Sequence, residues 1–185
     1  STGNILLNCN GDMNGSGTFF ASGGTLPYNF TVISNTTGAT IAGPGFNSQT
    51  FFNAGAGSIT VAVTDFRGCF AQATINIIQP ALLTPGTIAS NQLLCAGDNP
   101  AQLTESVPAA GGPGAYNYQW QYGSSAVGPF LNIAGATASL YTPPAGANST
   151  LYYRRMITSG VCMPVYSNVV EVFVNPKPVA VLSGG

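Results

Sequence analysis

Ser58-Ile59-Thr60-Val61-Ala62-Val63-Thr64 alternates apolar and small polar residues, runs into Asp65-Phe66-Arg67-Gly68, and is followed by the second alternating run Gln72-Ala73-Thr74-Ile75-Asn76-Ile77. A period of two places one set of side chains on a single face of a strand. Asp and Gly between two such runs supply turn chemistry, so the stretch reads as an antiparallel hairpin. Tyr116, Tyr118 and Trp120 alternate in the same way with Asn117, Gln119 and Gln121, which puts all three rings on one buried face. Tyr28, Phe30 and Val32 take the equivalent role earlier in the chain. Residues 151–158 and 169–174 read as a second closing hairpin. No stretch carries a 3.6-residue apolar period, and Gly and Pro punctuate the chain at short intervals, so the expected class is all-β.

The landmarks recur in order. Cys9-Asn10-Gly11-Asp12 returns as Cys95-Ala96-Gly97-Asp98, and Gly23-Gly24 before Tyr28-Asn29-Phe30 returns as Gly111-Gly112 before Tyr116-Asn117-Tyr118. Gly68-Cys69 returns as Gly160-Val161-Cys162, and Gln79-Pro80 as Asn175-Pro176. Ordered recurrence is the mark of internal duplication. The expected organisation is two tandem antiparallel β-sandwiches, over residues 1–80 and 81–178, which the resemblance given below makes Ig-like or PKD-like. Residues 179–185 then read as the opening of a further repeat or a tail.

Composition limits the function. Apolar residues make up 45% of the 185, against four basic and five acidic side chains. A surface of Asn, Thr, Ser, Gln and Gly lacks the charge that keeps crowded intracellular proteins apart. Packing inside an extracellular assembly tolerates that shortage. The net charge of −1 offers no footprint for nucleic acid or anionic lipid, and no apolar run suits membrane insertion as a helix. The chain has no His, the commonest general base and metal ligand. Catalysis is therefore not expected, and neither is a cofactor.

Four cysteines allow three connectivities, and only Cys9–Cys69 with Cys95–Cys162 keeps each bond inside one repeat. Each such bond would add roughly 3–4 kcal/mol by restricting the unfolded chain, and would imply an oxidising compartment. A four-thiolate zinc site is the alternative, but no two cysteines show the short spacing of metal-ligand pairs. Asp12, Asn14 and Ser16 have the opening rhythm of a calcium loop, but the closing Glu is absent, and a plain turn explains Asp12. Asn14, Asn29, Asn35 and Asn148 each open an Asn-x-Ser/Thr triplet. The adjacent aromatics Phe19-Phe20, Phe51-Phe52 and Tyr152-Tyr153, with Tyr122 and Phe130, are candidates for a glycan platform. Adjacent strand residues face opposite ways, so one ring of each pair points outward.

The first repeat resembles the SprB-type repeat of Bacteroidota surface adhesins. The resemblance rests on Cys9-Asn10-Gly11, Ala21-Ser22-Gly23-Gly24-Thr25-Leu26-Pro27-Tyr28-Asn29-Phe30 and Val63-Thr64-Asp65-Phe66-Arg67-Gly68-Cys69. The second resembles the Ig-like or PKD-like modules that alternate with such repeats, through Leu94-Cys95-Ala96-Gly97-Asp98, Tyr116-Asn117-Tyr118-Gln119-Trp120-Gln121 and Tyr152-Tyr153-Arg154-Arg155. The Trp-Asp-Phe-Gly-Asp signature of PKD modules is missing. The resemblance implies a segment of a long secreted surface protein, exported by type IX secretion and used in adhesion or gliding motility. Its implied partners are neighbouring repeats, filament subunits and surface glycans, and it carries no catalytic residues to transfer.

Overall fold

The computed structural model describes residues 2–89 and 91–181, and the chain divides into the units Ser1–Leu82 and Leu83–Gly185. Both are all-β, with no helix among the described residues.

Unit 1 contains β1 (Thr2–Leu6), β2 (Gly15–Phe20), β3 (Asn29–Asn35), β4 (Thr40–Ile41), β5 (Ser48–Ala54), β6 (Gly57–Thr64) and β7 (Phe70–Ile78). One sheet has the order β1-β7-β6-β3 and the other β2-β5-β4. The period-two hairpin forms β6 and β7, paired antiparallel from Gly57↔Ile77 to Thr64↔Phe70. Its inward set, Ile59, Val61 and Ile77, meets Phe51 of the second sheet, which is buried to 1% exposure. Phe51 sits there because Gly17 offers no side chain: a Cβ would come within 2.8 Å of its ring. Phe30 packs against this core from its edge. Tyr28 does not join it. That ring is half-buried beside an open cleft, because its hydroxyl donates to the Gly23 carbonyl and holds it over the β2–β3 loop.

Unit 2 contains β8 (Thr87–Ile88), β9 (Gln92–Cys95), β10 (Glu105–Val107), β11 (Tyr116–Gly123), β12 (Leu131–Asn132), β13 (Leu151–Ser159), β14 (Val165–Tyr166) and β15 (Val170–Asn175). Its main sheet runs β12-β11-β13-β15-β9, with β14 also on β13. The expected closing hairpin is interrupted: β13 pairs β15 only from Leu151↔Val172 to Tyr153↔Val170, and its far end pairs β14 instead. The second layer is thin, made of β10 on β8 and an isolated bridge between Leu103 and Tyr141. Trp120 is fully buried between the layers with Ile88, Leu103, Tyr153, Val170 and Val172. Tyr116 and Tyr118 lie half-buried against a second cluster around Leu83, Ala109 and Ile157.

The expected cysteine pairs do not form. Cys69 and Cys95 are free and exposed, whereas Cys9 and Cys162 are disulfide-bonded. Strand register explains why. We call the end of each unit where its last strand finishes the trailing pole, and the opposite end the leading pole. The parallel pairing Leu6↔Ile78 carries Cys9 past the end of β7, where Asn10 donates to the Pro80 carbonyl (3.1 Å) and Gly11 to Gln79 Oε1 (2.7 Å). Cys69 immediately precedes β7, at its start. At about 3.3 Å per residue the two lie roughly 30 Å apart, while a disulfide needs Cα atoms within about 7 Å. Unit 2 repeats the arrangement. Cys95 pairs Asn175 at the end of β15, and Cys162 follows the far end of β13. Residues 179–181 lie outside any strand, and the remainder of the expected further repeat, 182–185, lies outside the described residues.

Candidate functional site

In each unit a strand near the start lies beside the last strand and runs the same way: β1 opens unit 1, whereas in unit 2 the short β8 precedes β9. β1 pairs β7 in parallel from Thr2↔Thr74 to Leu6↔Ile78, and Leu7 continues the ladder by donating to the Ile78 carbonyl at 2.8 Å. β9 pairs β15 in parallel from Gln92↔Val172 to Cys95↔Asn175, continued by Ala96 donating to the Asn175 carbonyl at 2.8 Å. Tension between the termini of unit 1 drags β1 along β7, and in unit 2 tension that passes the short β8 drags β9 along β15. The evenly spaced bonds of a parallel pair are then loaded together rather than one at a time. Leu7 and Ile5 in unit 1, and Leu94 in unit 2, root β1 and β9 in their cores, so sliding also exposes apolar surface.

Turns at the two poles hold these strands in place. Asp12 Oδ2 accepts from Cys9 N–H and Asp98 Oδ2 accepts from Cys95 N–H, both at 2.9 Å. The Cys-x-Gly-Asp recurrence is thus a capped turn. Asp12 spends its carboxylate on its own loop and Ser16 lies within β2, so the calcium reading gains no assembled ligand set. Among the described residues, no three His, Cys, Asp or Glu side chains form a metal-holding group. Asn35 likewise uses its amide internally, donating to Ala39 and accepting from Thr37. At the leading pole of unit 1, Asp65 Oδ1 accepts from Arg67 N–H (2.9 Å) and Cys69 N–H (2.8 Å), and Oδ2 from Thr25 N–H (2.9 Å). These backbone donors, Thr25 first, hold its carboxyl below the ordinary Asp value. Gly24, at φ +69°, is required beside it, since a Cβ there would lie 2.8 Å from Oδ2.

Beside this turn opens a cleft of about 340 Å³ lined by Phe19, Phe20, Tyr28, Phe30, Phe70 and Gln72, among others. Phe20 is 77% and Phe70 66% exposed. The aromatic pairs divide across their strands. Phe51 and Tyr153 are buried while Phe52 is exposed and Tyr152, half-buried, donates its hydroxyl to Glu171 (2.8 Å). Phe130 is covered by the Arg154 guanidinium, 4.2 Å from its centroid.

Sequence reasoning missed Arg155, whose side chain is fully buried. It pairs with Trp120 across β11 and β13 and lies on the inward face with Tyr153 and Ile157. Its guanidinium sits 4.6 Å from the Tyr118 centroid and 5.8 Å from that of Trp120, and it donates to the Ser139 carbonyl at 2.6 Å. Glu105 Oε1 lies 2.6 Å from Nη1 as an ion pair rather than an aligned hydrogen bond, and Nε has no hydrogen-bond partner. In immunoglobulin domains a buried Trp packs on an inter-sheet disulfide; in unit 2 a cation occupies the space beside the ring. Counting at period two from Tyr153 places Arg155 inside, a signal that its charge obscured.

Residues 84–176 match a family described as Domain of unknown function (DUF8696). No curated protein matches the chain. Similar solved structures include titin domains I67-I69 in an E-to-A variant, at 13% identity and TM-score 0.48, covering 96% of this chain and 64% of that one. The N-terminal eight Ig domains of DSCAM match at 18% identity and TM-score 0.45, covering 88% and 23%. Drosophila OTK extracellular domains 3–5 match at 12% identity and TM-score 0.38, covering 94% and 59%. The chain therefore spans less than two thirds of the length of each of these structures.

Proposed function

The chain belongs to the family described as Domain of unknown function (DUF8696), and from the architecture of its two units we propose that it is a non-enzymatic, tension-bearing segment of an adhesive surface protein. The parallel pairing of β1 with β7 and of β9 with β15 carries the reading. Such a pairing resists extension when the ends of a unit are pulled apart. In its finer form the proposal is a piece of a long secreted cell-surface adhesin or filament of the SprB-bearing kind, exported by type IX secretion and serving attachment or gliding. The sequence resemblance and the scarcity of charge support that form, with neighbouring repeats or filament subunits as partners.

Single-molecule pulling on the two termini under reducing conditions, with Cys9 and Cys162 released from disulfide bonding, tests it. Two rupture events are expected, one per unit. Ala96→Pro removes the donor to the Asn175 carbonyl and should lower the rupture force of one event while sparing the other. Rupture at the low force of a peeling hairpin, unchanged by Ala96→Pro, would sink the proposal.

The open aromatic cleft of unit 1 favours a second reading, a carbohydrate-binding module of a secreted enzyme. Ring faces such as Phe20 and Phe70 suit a sugar's apolar side. Saturable binding on a glycan array, lost in Phe20→Ala and Phe70→Ala, would put this reading first.

A further inference from the structure

Arg154 of unit 2 is fixed by its neighbours while its outer edge stays open to solvent. Alternation along β13 turns it away from the layer that holds Tyr153 and Arg155. Register sets it opposite Gln121 of β11, and sets Gln121 opposite Asn132 of β12. Arg154 Nε donates to Gln121 Oε1 (2.7 Å), and Gln121 Nε2 donates in turn to Asn132 Oδ1 (2.8 Å). Gln121 is only 7% exposed, so this anchor is itself held by packing. The ring centroids of Phe130 and Tyr166 each lie 4.2 Å from Arg154 Cζ, and cation–π stacking fixes the guanidinium plane. Glu171, the acid on the same face of the sheet, takes the Tyr152 hydroxyl instead (2.8 Å). Among the described residues, no carboxylate pairs with Arg154, no acceptor takes its Nη1 or Nη2, and neither nitrogen is shut off from solvent.

We propose that this open edge is a carboxylate-binding site for an acidic glycan, one that carries uronate residues. Nη1 and Nη2 form a planar pair of donors in the geometry that a carboxylate accepts bidentately. The Nε bond and the two rings hold that fork before the ligand arrives, so little rotamer freedom remains to be lost on binding. The surroundings select the carrier. A run of acidic side chains calls for several cations together, whereas here one cation stands among neutral amides and rings. That setting suits carboxylates spaced singly along a hydroxyl-rich chain. Asn132, whose Oδ1 is already engaged, offers its Nδ2 to a sugar hydroxyl, and Tyr166, 42% exposed, offers its own hydroxyl. These residues all belong to unit 2 and share none of the lining of the unit 1 cleft.

Calorimetric titration of the full chain with uronate oligosaccharides from pectate, alginate and hyaluronan tests the site. Saturable binding of at least one is expected, weakened at least tenfold when its carboxylates are methyl-esterified. R154K keeps the charge but loses the fork, and should weaken binding at least tenfold with unchanged circular dichroism. Phe20→Ala, in the unit 1 cleft, should leave the affinity unchanged. No binding to any of the uronates, equal affinity for the methyl ester, binding that survives R154K, or tighter binding of a Glu-rich peptide would each overturn the proposal. Affinity is the readout, so its failure leaves the tension-bearing reading standing, and a failed pulling experiment leaves the site standing.

Discussion

The two units share their ends and differ in their middles. Both lay an edge strand parallel to the last strand, turn at a Cys-x-Gly-Asp cap, and fix a Gly-Gly loop by a Tyr hydroxyl, Tyr28 to Gly23 and Tyr116 to Gly111. Between those ends, unit 1 closes its sandwich with a three-stranded second sheet and fills it with Phe51 and branched aliphatics. Unit 2 has a reduced second layer and fills the space with Trp120, Tyr141, Tyr153 and the buried Arg155, paired with the half-buried Glu105. Turn chemistry is a local demand on a few residues, so duplication leaves it recognisable. A core needs only matched volume and satisfied polar groups, so the two copies could diverge there.

The largest test of this contrast falls on unit 2. Trp120→Ala should cost about 3–5 kcal/mol through the cavity it leaves. Arg155→Ala should cost a similar amount, about 3–5 kcal/mol, because Glu105 loses its partner. Trp120 is the only Trp, so for the Arg155 variant urea denaturation followed by fluorescence reads unit 2 alone; circular dichroism reads the Trp120 variant. Pairing Arg155→Met with Glu105→Leu should recover most of the loss if the charge pair, rather than its volume, is what the layer depends on.

Unit 1 should respond to finer changes in aliphatic packing. Ile59→Val, at a fully buried position, is expected to cost about 0.5–1.5 kcal/mol. Fluorescence should not register it, while hydrogen exchange across β6 and β7 should.

The cores also differ in their response to alkali. Burial, with lesser contributions from Tyr141 and Tyr122, pushes the Tyr153 hydroxyl up to about 12 from an ordinary value of 10.0. Between those values the unfolded chain has lost the proton that the folded unit retains, so unit 2 loses stability as pH rises through that window. Denaturation midpoints should fall above pH 10, and Tyr153→Phe should remove that part of the slope.

The smallest effect belongs to the leading pole of unit 1. Asp65 is held below its ordinary 3.8, so its contribution is present above that value and fades as pH falls through the lowered one. Amide exchange at Thr25, Arg67 and Cys69 should quicken in that range before the β6–β7 ladder does. Asp65→Asn should show the same quickening at neutral pH.

Much of this was legible in the chain as written. Alternation at 58–64 and 72–77 located β6 and β7, and the ordered recurrence of Cys, Gly-Gly and Tyr located the duplication. Those signals are local, since period and turn residues act over a few positions. The sulfur pairing was not legible in the same way. Symmetry of the repeat placed each bond inside a unit, and only the parallel register of β1 on β7 and β9 on β15 separates those cysteines to opposite poles.

Arg155 and Tyr28 make the same division within single side chains. Hydropathy puts an Arg outside and a Tyr inside, yet the Arg lies buried because Glu105 of β10, Ser139 of a loop and two rings of the paired strand β11 converge on it. The Tyr stays beside a cleft because a loop carbonyl takes its hydroxyl. Composition and period alone located strands and turns and showed landmarks that recur in order. Which groups meet across the layers, and which sulfurs come within reach, depends on register and topology, because those contacts join residues far apart in the chain.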